Sequence, residues 1–261
     1  MVSNYAILKL LKLKDYFTIA GTTLGIISLV CACIGNINAL SLGFFLVTIA
    51  LGTDLIDGYI ARKTGTVNEM GKQLDSLSDS LTFGISPAIL TYQAFKINGP
   101  FDIILLIACI CFALGAILRL ARFNLTLSIG YMGVPTPISA LLIIAYFYAN
   151  YFYSLAYPFQ NPMFPVLAYY LIPFFLVFIA WLNITTHISF GEKGKIIYII
   201  FLLVAPLGPI FGIIGILNPN YIISITVAII FLSSFIGLFI YILYGFVVKY
   251  KTSRNTTSNQ K

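Results

Sequence analysis

Charge is what this sequence has least of. Asp, Glu, Lys and Arg make up 9% of the 261 residues, while 60% are hydrophobic. That balance excludes an ordinary soluble domain. Histidine occurs once, at His187. No carboxylate stands near it in sequence, and a basic loop follows, so it reads as a structural interfacial residue. Tryptophan also occurs once; Trp181, with Tyr169 and Tyr170, reads as a packing or interfacial aromatic. The four cysteines form two Cys-x-Cys pairs, Cys31/Cys33 and Cys109/Cys111. Residues two apart on a helix point to nearly opposite sides, so neither pair chelates a metal by itself. No disulfide framework follows, and the thiols read as small buried side chains.

What is there is a succession of apolar runs of about 20 residues, each long enough to cross a bilayer. A β-barrel is excluded, because its strands are short and alternate. The class is all-α, a polytopic integral membrane protein with about eight transmembrane helices. The expected spans are about 16–34, 39–61, 72–95, 101–123, 135–153, 164–184, 196–217 and 221–248, with Pro87 bending the third. Residues 1–15 alternate apolar and basic side chains and read as an amphipathic helix on the membrane surface. The chain then divides into a six-span core over 16–190, two further helices over 191–248 and a disordered tail over 249–261. Gly208, Gly212 and Gly215 in the seventh span read as a small-residue packing stripe, since no strand precedes them as a nucleotide loop would require.

The net charge of +7 does not point to nucleic acid, because the basic residues follow the loops. Eight spans put both termini on one side. Of the 15 Lys and Arg residues, only Lys96 then falls on the other, leaving 14 on the side of the termini. By the positive-inside bias that side is cytoplasmic, in the cell membrane.

The acidic residues number eight, and half of them, Asp54, Asp57, Asp75 and Asp79, fall in one short stretch. Asp54, Asp57, Gly58, Ala61 and Arg62 share one helix face. Gly71, Asp75 and Asp79 follow at intervals of four on a second helix, after a short polar turn. Two antiparallel helices would then direct four carboxylates into one space. Carboxylates at a membrane rim are costly unless paired or metal-bound, and all-oxygen ligation favours hard divalent ions. The small residues clear room for something bulky, and Arg62 suits a phosphate. Carboxylates, divalent ions, an arginine and cleared space suggest phosphoryl chemistry on a charged substrate.

The pattern Asp54-x2-Asp57-Gly58-x2-Ala61-Arg62-x8-Gly71-x3-Asp75-x3-Asp79 resembles the complete signature of the CDP-alcohol phosphatidyltransferase family. Three further stretches resemble its phosphatidylserine synthase branch: Leu74–Asp79 continuing to Thr82–Ala88, Leu118–Asn124, and Gly133-Val134-Pro135. Lys12–Thr18 resembles that branch as well. Together they cover about the first 140 residues.

The resemblance implies transfer of a phosphatidyl-type group from a CDP-linked lipid to an alcohol, with release of CMP, by a homodimer using two divalent ions, Mg²⁺ or Mn²⁺. It implies Asp54, Asp57, Asp75 and Asp79 as metal ligands and Asp79 also as the general base. Asp57, Gly58, Ala61, Arg62 and Gly71 carry over as CDP- and phosphate-binding positions. The branch implies L-serine as acceptor, and Arg119 or Arg122 could hold its carboxylate. Glycerol phosphate or inositol phosphate remains open as acceptor, as does diacylglycerol or archaeol as the lipid. A divalent-ion transporter should show internal repeats, and the aspartate pattern is not repeated.

Overall fold

The computed structural model describes residues 11–64, 69–125, 131–158, 163–190, 207–217 and 219–258. The proposed surface helix therefore lies largely outside the described residues, as do the basic loop from Gly191 and the first half of the seventh expected span. Helix α1 spans Leu13–Ile34 and α2 spans Ile37–Thr64. Between them Gly35 takes a left-handed φ of 74°, a conformation glycine adopts without penalty, and its N–H closes on the Cys31 carbonyl. The Asn36 side chain then accepts the Ala39 N–H at 2.8 Å and opens α2. The resulting tight hairpin lays the start of α1 beside the end of α2.

The first spanning helix begins at Leu13, three residues before the expected start. Asp15 terminates it cleanly: its carboxylate accepts the Lys12 N–H at 2.7 Å, reciprocated by an Asp15 N–H to Lys12 carbonyl bond of 2.9 Å. Lys14 and Asp15 thus belong to the spanning helix and are buried in it, which moves the boundary of the expected surface helix.

The third expected span is one helical run in three pieces, α3 (Glu69–Asp79), a π-helical turn (Ser80–Ile85) and α4 (Ser86–Phe95). Pro87 offers no N–H and crowds the carbonyl four residues before it. The backbone responds by widening rather than only bending, and Ser86 N–H reaches back five residues to Leu81. The wide turn begins directly after Asp79 and is tied to α1, where Ser86 Oγ donates to the Gly25 carbonyl at 3.1 Å.

Helix α5 spans Phe101–Leu125, α6 Thr136–Ala156, α7 Val166–Ile184, α8 Leu207–Ile216 and α9 Tyr221–Ser258. Residue pairs Tyr131–Met132 (β1) and Ser189–Phe190 (β2) join antiparallel and cross-link two loops, too little to alter the all-α class. Six helices among the described residues are long and apolar enough to span a membrane: α1, the Ile37–Ile60 part of α2, α5, α6, α7 and the Tyr221–Tyr250 part of α9. The expected count of eight is not established, since the third span is composite and the described helix of the seventh is only ten residues long.

Helix α6 is the central post, buried along most of its length. Its rings stack with those around it: Phe147 on Phe44 of α2 at 4.2 Å and Tyr148 on Phe231 of α9 at 5.0 Å. The glycine stripe of α8 behaves as a packing stripe. A side chain at Gly208 would strike Thr48, one at Gly212 would strike Phe45 and one at Gly215 would strike Tyr151. Helix α9 continues to Ser258, so Lys249–Ser258, expected as part of a disordered tail, is helical. After Gly245 no glycine or proline interrupts the helix.

Candidate active site

The hairpin at Gly35 and the fold-back into α3 bring the aspartates together at one end of the bundle. One carboxylate oxygen each from Asp54, Asp57 and Asp75 lies within 4.8 Å of the others. Asp79, one turn beyond Asp75, lines the same cavity as Asp54 and Asp57, together with Thr18, Gly21 and Ser78. The four expected carboxylates therefore separate into a group of three that could hold a metal and one placed alongside. Gly58 lies beside Asp57 on α2 and is partly exposed; Gly71 is buried at the start of α3. Ala61 and Arg62 fall in the last turns of α2, and their side chains lie outside those described.

Helix α1 supplies the wall that spacing arguments on the aspartates alone missed. Thr18 Oγ1 donates to Asp57 at 2.8 Å, fixing one carboxylate oxygen in place. Thr22 Oγ1 bonds Ser78 Oγ at 2.7 Å and so fastens α1 to α3 between Asp75 and Asp79. Lys14 Nζ stands 3.1 Å from Asp15 and within electrostatic reach of both Asp57 and Asp75. Close approach is possible because Gly21 faces Thr53 and Gly25 faces Thr82, where a Cβ would come within 2.6 and 2.5 Å of the opposing hydroxyls. The stretch Lys12–Thr18 carried the available sequence signal for this wall.

Leu118–Asn124 at the end of α5 divides its polar side chains among three neighbours. Asn124 exchanges hydrogen bonds with Ser76 of α3 (2.9 and 3.2 Å) and its carbonyl accepts Lys72 Nζ at 3.3 Å. Arg122 turns away from the aspartates and donates to the Ile184, Met132 and Asn183 carbonyls at 2.6, 3.0 and 3.3 Å. It closes off the end of α7, whose last carbonyls have no helical partner. Arg119 is buried; its guanidinium lies over the Phe123 ring, donates to Thr136 Oγ1 at 3.4 Å and acts electrostatically on Asp79. The two arginines that sequence left equivalent are thus distinguished by geometry. His187 is exposed, apart from the cluster.

A membrane-embedded helical bundle with a tri-aspartate cluster at one end defines a polytopic membrane protein equipped to hold a hard divalent cation. The model of the family described as CDP-alcohol phosphatidyltransferase matches residues 12–188, and this chain belongs to that family. It is 37% identical over 142 residues to the CDP-diacylglycerol–serine O-phosphatidyltransferase of Methanocaldococcus jannaschii, covering 54% of this chain and 63% of the relative. It is 35% identical over 158 residues to the archaetidylserine synthase of Methanothermobacter thermautotrophicus, covering 59% and 65%. A Saccharomyces cerevisiae protein named CDP-diacylglycerol–serine O-phosphatidyltransferase is 29% identical over 161 residues, or 56% of each chain. The matches thus span less than two thirds of these curated relatives.

Proposed function

We propose that this protein makes a serine phospholipid, transferring a phosphatidyl-type group from CDP-diacylglycerol or CDP-archaeol to L-serine and releasing CMP. The observation that carries the proposal is the meeting of Asp54, Asp57 and Asp75 within 4.8 Å, with Asp79 lining the same cavity. Three carboxylates this close repel one another unless cations lie between them, and their all-oxygen donor set fits Mg²⁺ or Mn²⁺. Asp54, Asp57 and Asp75 would hold the ions, which when bound neutralise the pyrophosphate and the departing CMP.

The remaining work falls to the chain itself. Asp79 takes the proton of the serine hydroxyl as it attacks the phosphorus attached to the lipid. Thr18 keeps Asp57 oriented, and Lys14 offsets part of the negative charge of the cluster. Gly58, Ala61, Arg62 and Gly71 form the bed for the CDP moiety. Arg119 holds the acceptor carboxylate, while Arg122 serves the fold. Residues 16–190 form the catalytic unit, against which α8 and α9 pack through α2 and α6. The site faces the cytoplasm of the cell membrane with both termini, so a nucleotide head reaches it while the lipid tail stays in the bilayer. The working form is a homodimer.

The test is CMP release by the purified chain in detergent with CDP-diacylglycerol or CDP-archaeol and Mn²⁺ or Mg²⁺. L-serine, glycerol 3-phosphate and inositol phosphate are compared as acceptors. Release that requires L-serine and a divalent ion supports the assignment. Release only with another alcohol keeps the family chemistry and removes serine.

A further inference from the structure

A lysine and an aspartate stand side by side in the first turn of α1, and both are withdrawn from the surface. Lys14 is 7% exposed and Asp15 0%, whereas Leu13 and Tyr16 on either side are 64% and 54% exposed. Consecutive residues of a helix point about 100° apart and do not ordinarily pair. Here both charged side chains turn into the bundle, and Lys14 Nζ lies 3.1 Å from Asp15 Oδ1. A lysine at the rim of a membrane usually extends its stem and leaves the ammonium in water. Lys14 occupies such a position and is held inside instead.

What holds it is the aspartate cluster. One turn after Lys14, the Thr18 hydroxyl approaches the Lys14 carbonyl at 3.4 Å and Asp57 at 2.8 Å, and a turn later Thr22 bonds Ser78 of α3. The start of α1 is thereby lodged between the helix of Asp57 and the helix of Asp75. Lys14 attracts both of those carboxylates, and Asp15 repels Asp75. A buried ion pair by itself gains little over apolar side chains of the same size. A cation beside three carboxylates that approach within 4.8 Å does more, because its attraction to them competes with that of a divalent ion. An ammonium and a divalent cation repel each other, so one gives way when the other is bound. The flexible four-carbon stem of lysine allows the shift. The Lys12 N–H takes Asp15 Oδ2, and Oδ1 remains to receive the ammonium.

We infer that Lys14 is a tethered competitor of the divalent ion and that Asp15 holds its ammonium off the ligand oxygens, so that the pair sets how tightly Asp54, Asp57 and Asp75 bind the ion. The inference rests on the metal reading above and extends it to two positioning residues that act on the ligands and not on the substrates. Removing the lysine leaves the ion unopposed. Removing the charge of Asp15 frees the ammonium to move onto the cluster. The two changes therefore act in opposite directions.

The test measures Mn²⁺ binding to the purified full chain in detergent, from the electron paramagnetic resonance signal of free Mn²⁺, for the unaltered protein, Lys14→Met and Asp15→Asn. Asparagine keeps an oxygen that can accept the Lys12 N–H. Lys14→Met should bind Mn²⁺ about ten-fold more tightly, and Asp15→Asn more weakly by about the same factor. Melting temperatures in EDTA and in Mn²⁺ give a second readout. The rise on adding Mn²⁺ should be larger than normal for Lys14→Met and smaller for Asp15→Asn, because a ligand of the folded form stabilises according to its affinity. A purely structural lysine would lower both melting temperatures equally and leave the Mn²⁺ dissociation constant unchanged; that result, or weaker binding by Lys14→Met, overturns the inference. Should Lys14→Met fail to fold, Asp15→Asn decides: weaker binding supports the inference, and unchanged or tighter binding overturns it. If the unaltered chain binds no Mn²⁺, the metal reading has failed and the inference falls with it. If all three proteins bind Mn²⁺ equally well, the inference alone is wrong.

Discussion

Thr18 lies 39 positions from Asp57 in sequence and 2.8 Å from it in space. A carboxylate that holds an ion gains affinity from a partner that fixes its orientation, and losing such a partner costs about 10- to 100-fold in affinity or activity. Thr18→Val should therefore move the Mn²⁺ dependence of CMP release to higher concentration by roughly ten-fold, leaving the maximum attained at saturating metal less affected. A titration of activity against Mn²⁺ checks this. The arginines make a matched pair of predictions. Arg122 bonds three backbone carbonyls, so Arg122→Ala should lower thermal stability by about 2 kcal/mol without a selective change in the KM for L-serine. Arg119→Lys keeps the charge but loses the planar fork, and should raise that KM while the protein melts near its usual temperature. Thermal unfolding and steady-state kinetics on the same preparations separate the two.

At the scale of elements, the contact between α1 and the π turn sets the depth of the cavity. Gly25 lies against Thr82, with no room for a Cβ unless one of them shifts. Gly25→Val should push the turn away, carry Asp79 with it and lower activity by an order of magnitude or more, in line with the sensitivity of catalysis to displacements of about 1 Å. The check is kcat alongside binding of CDP, which should be less affected because the residues proposed to bind CDP lie on α2 and the start of α3.

Much at this scale was legible in the sequence. The spacing of Asp54, Asp57, Asp75 and Asp79 told which faces of two helices would meet, because helical periodicity maps directly onto a face. The gap between the apolar runs 16–34 and 39–61 marked the hairpin turn. The π turn was not legible, since Pro87 announces only that the helix must deviate and not how the backbone will absorb it. The partition between Arg119 and Arg122 was hidden for a different reason: both sit on α5 within one turn, and what distinguishes them is the end of α7, some 60 residues away. The share of α1 in the site was written only in the resemblance of Lys12–Thr18, because Thr18 has no chemistry that singles it out from other threonines.

For the whole molecule, the alternation of helices places the starts of α1, α3 and α6 and the ends of α2, α5, α7 and α9 together. Tyr157 and Tyr221, bonded at 2.9 Å, mark the opposite end. Lys96 follows α4, away from the aspartates, and Lys249 lies in the far part of α9. In a cysteine-free background, sealed inside-out vesicles bearing Lys249→Cys should react with a membrane-impermeant maleimide. Those bearing Lys96→Cys should react only after permeabilisation. The reverse pattern would invert the orientation and remove the site from the cytoplasmic supply of nucleotide.

The most direct measurement is the appearance of a serine-containing lipid from labelled L-serine and a CDP-lipid, made with and without Mn²⁺ and with Asp79→Asn beside the unaltered chain. A product that needs the ion, with its rate cut at least 100-fold in the variant, is the expected result. Product formed at an equal rate without a divalent ion, or by the Asp79→Asn protein, would contradict the roles given to the aspartates.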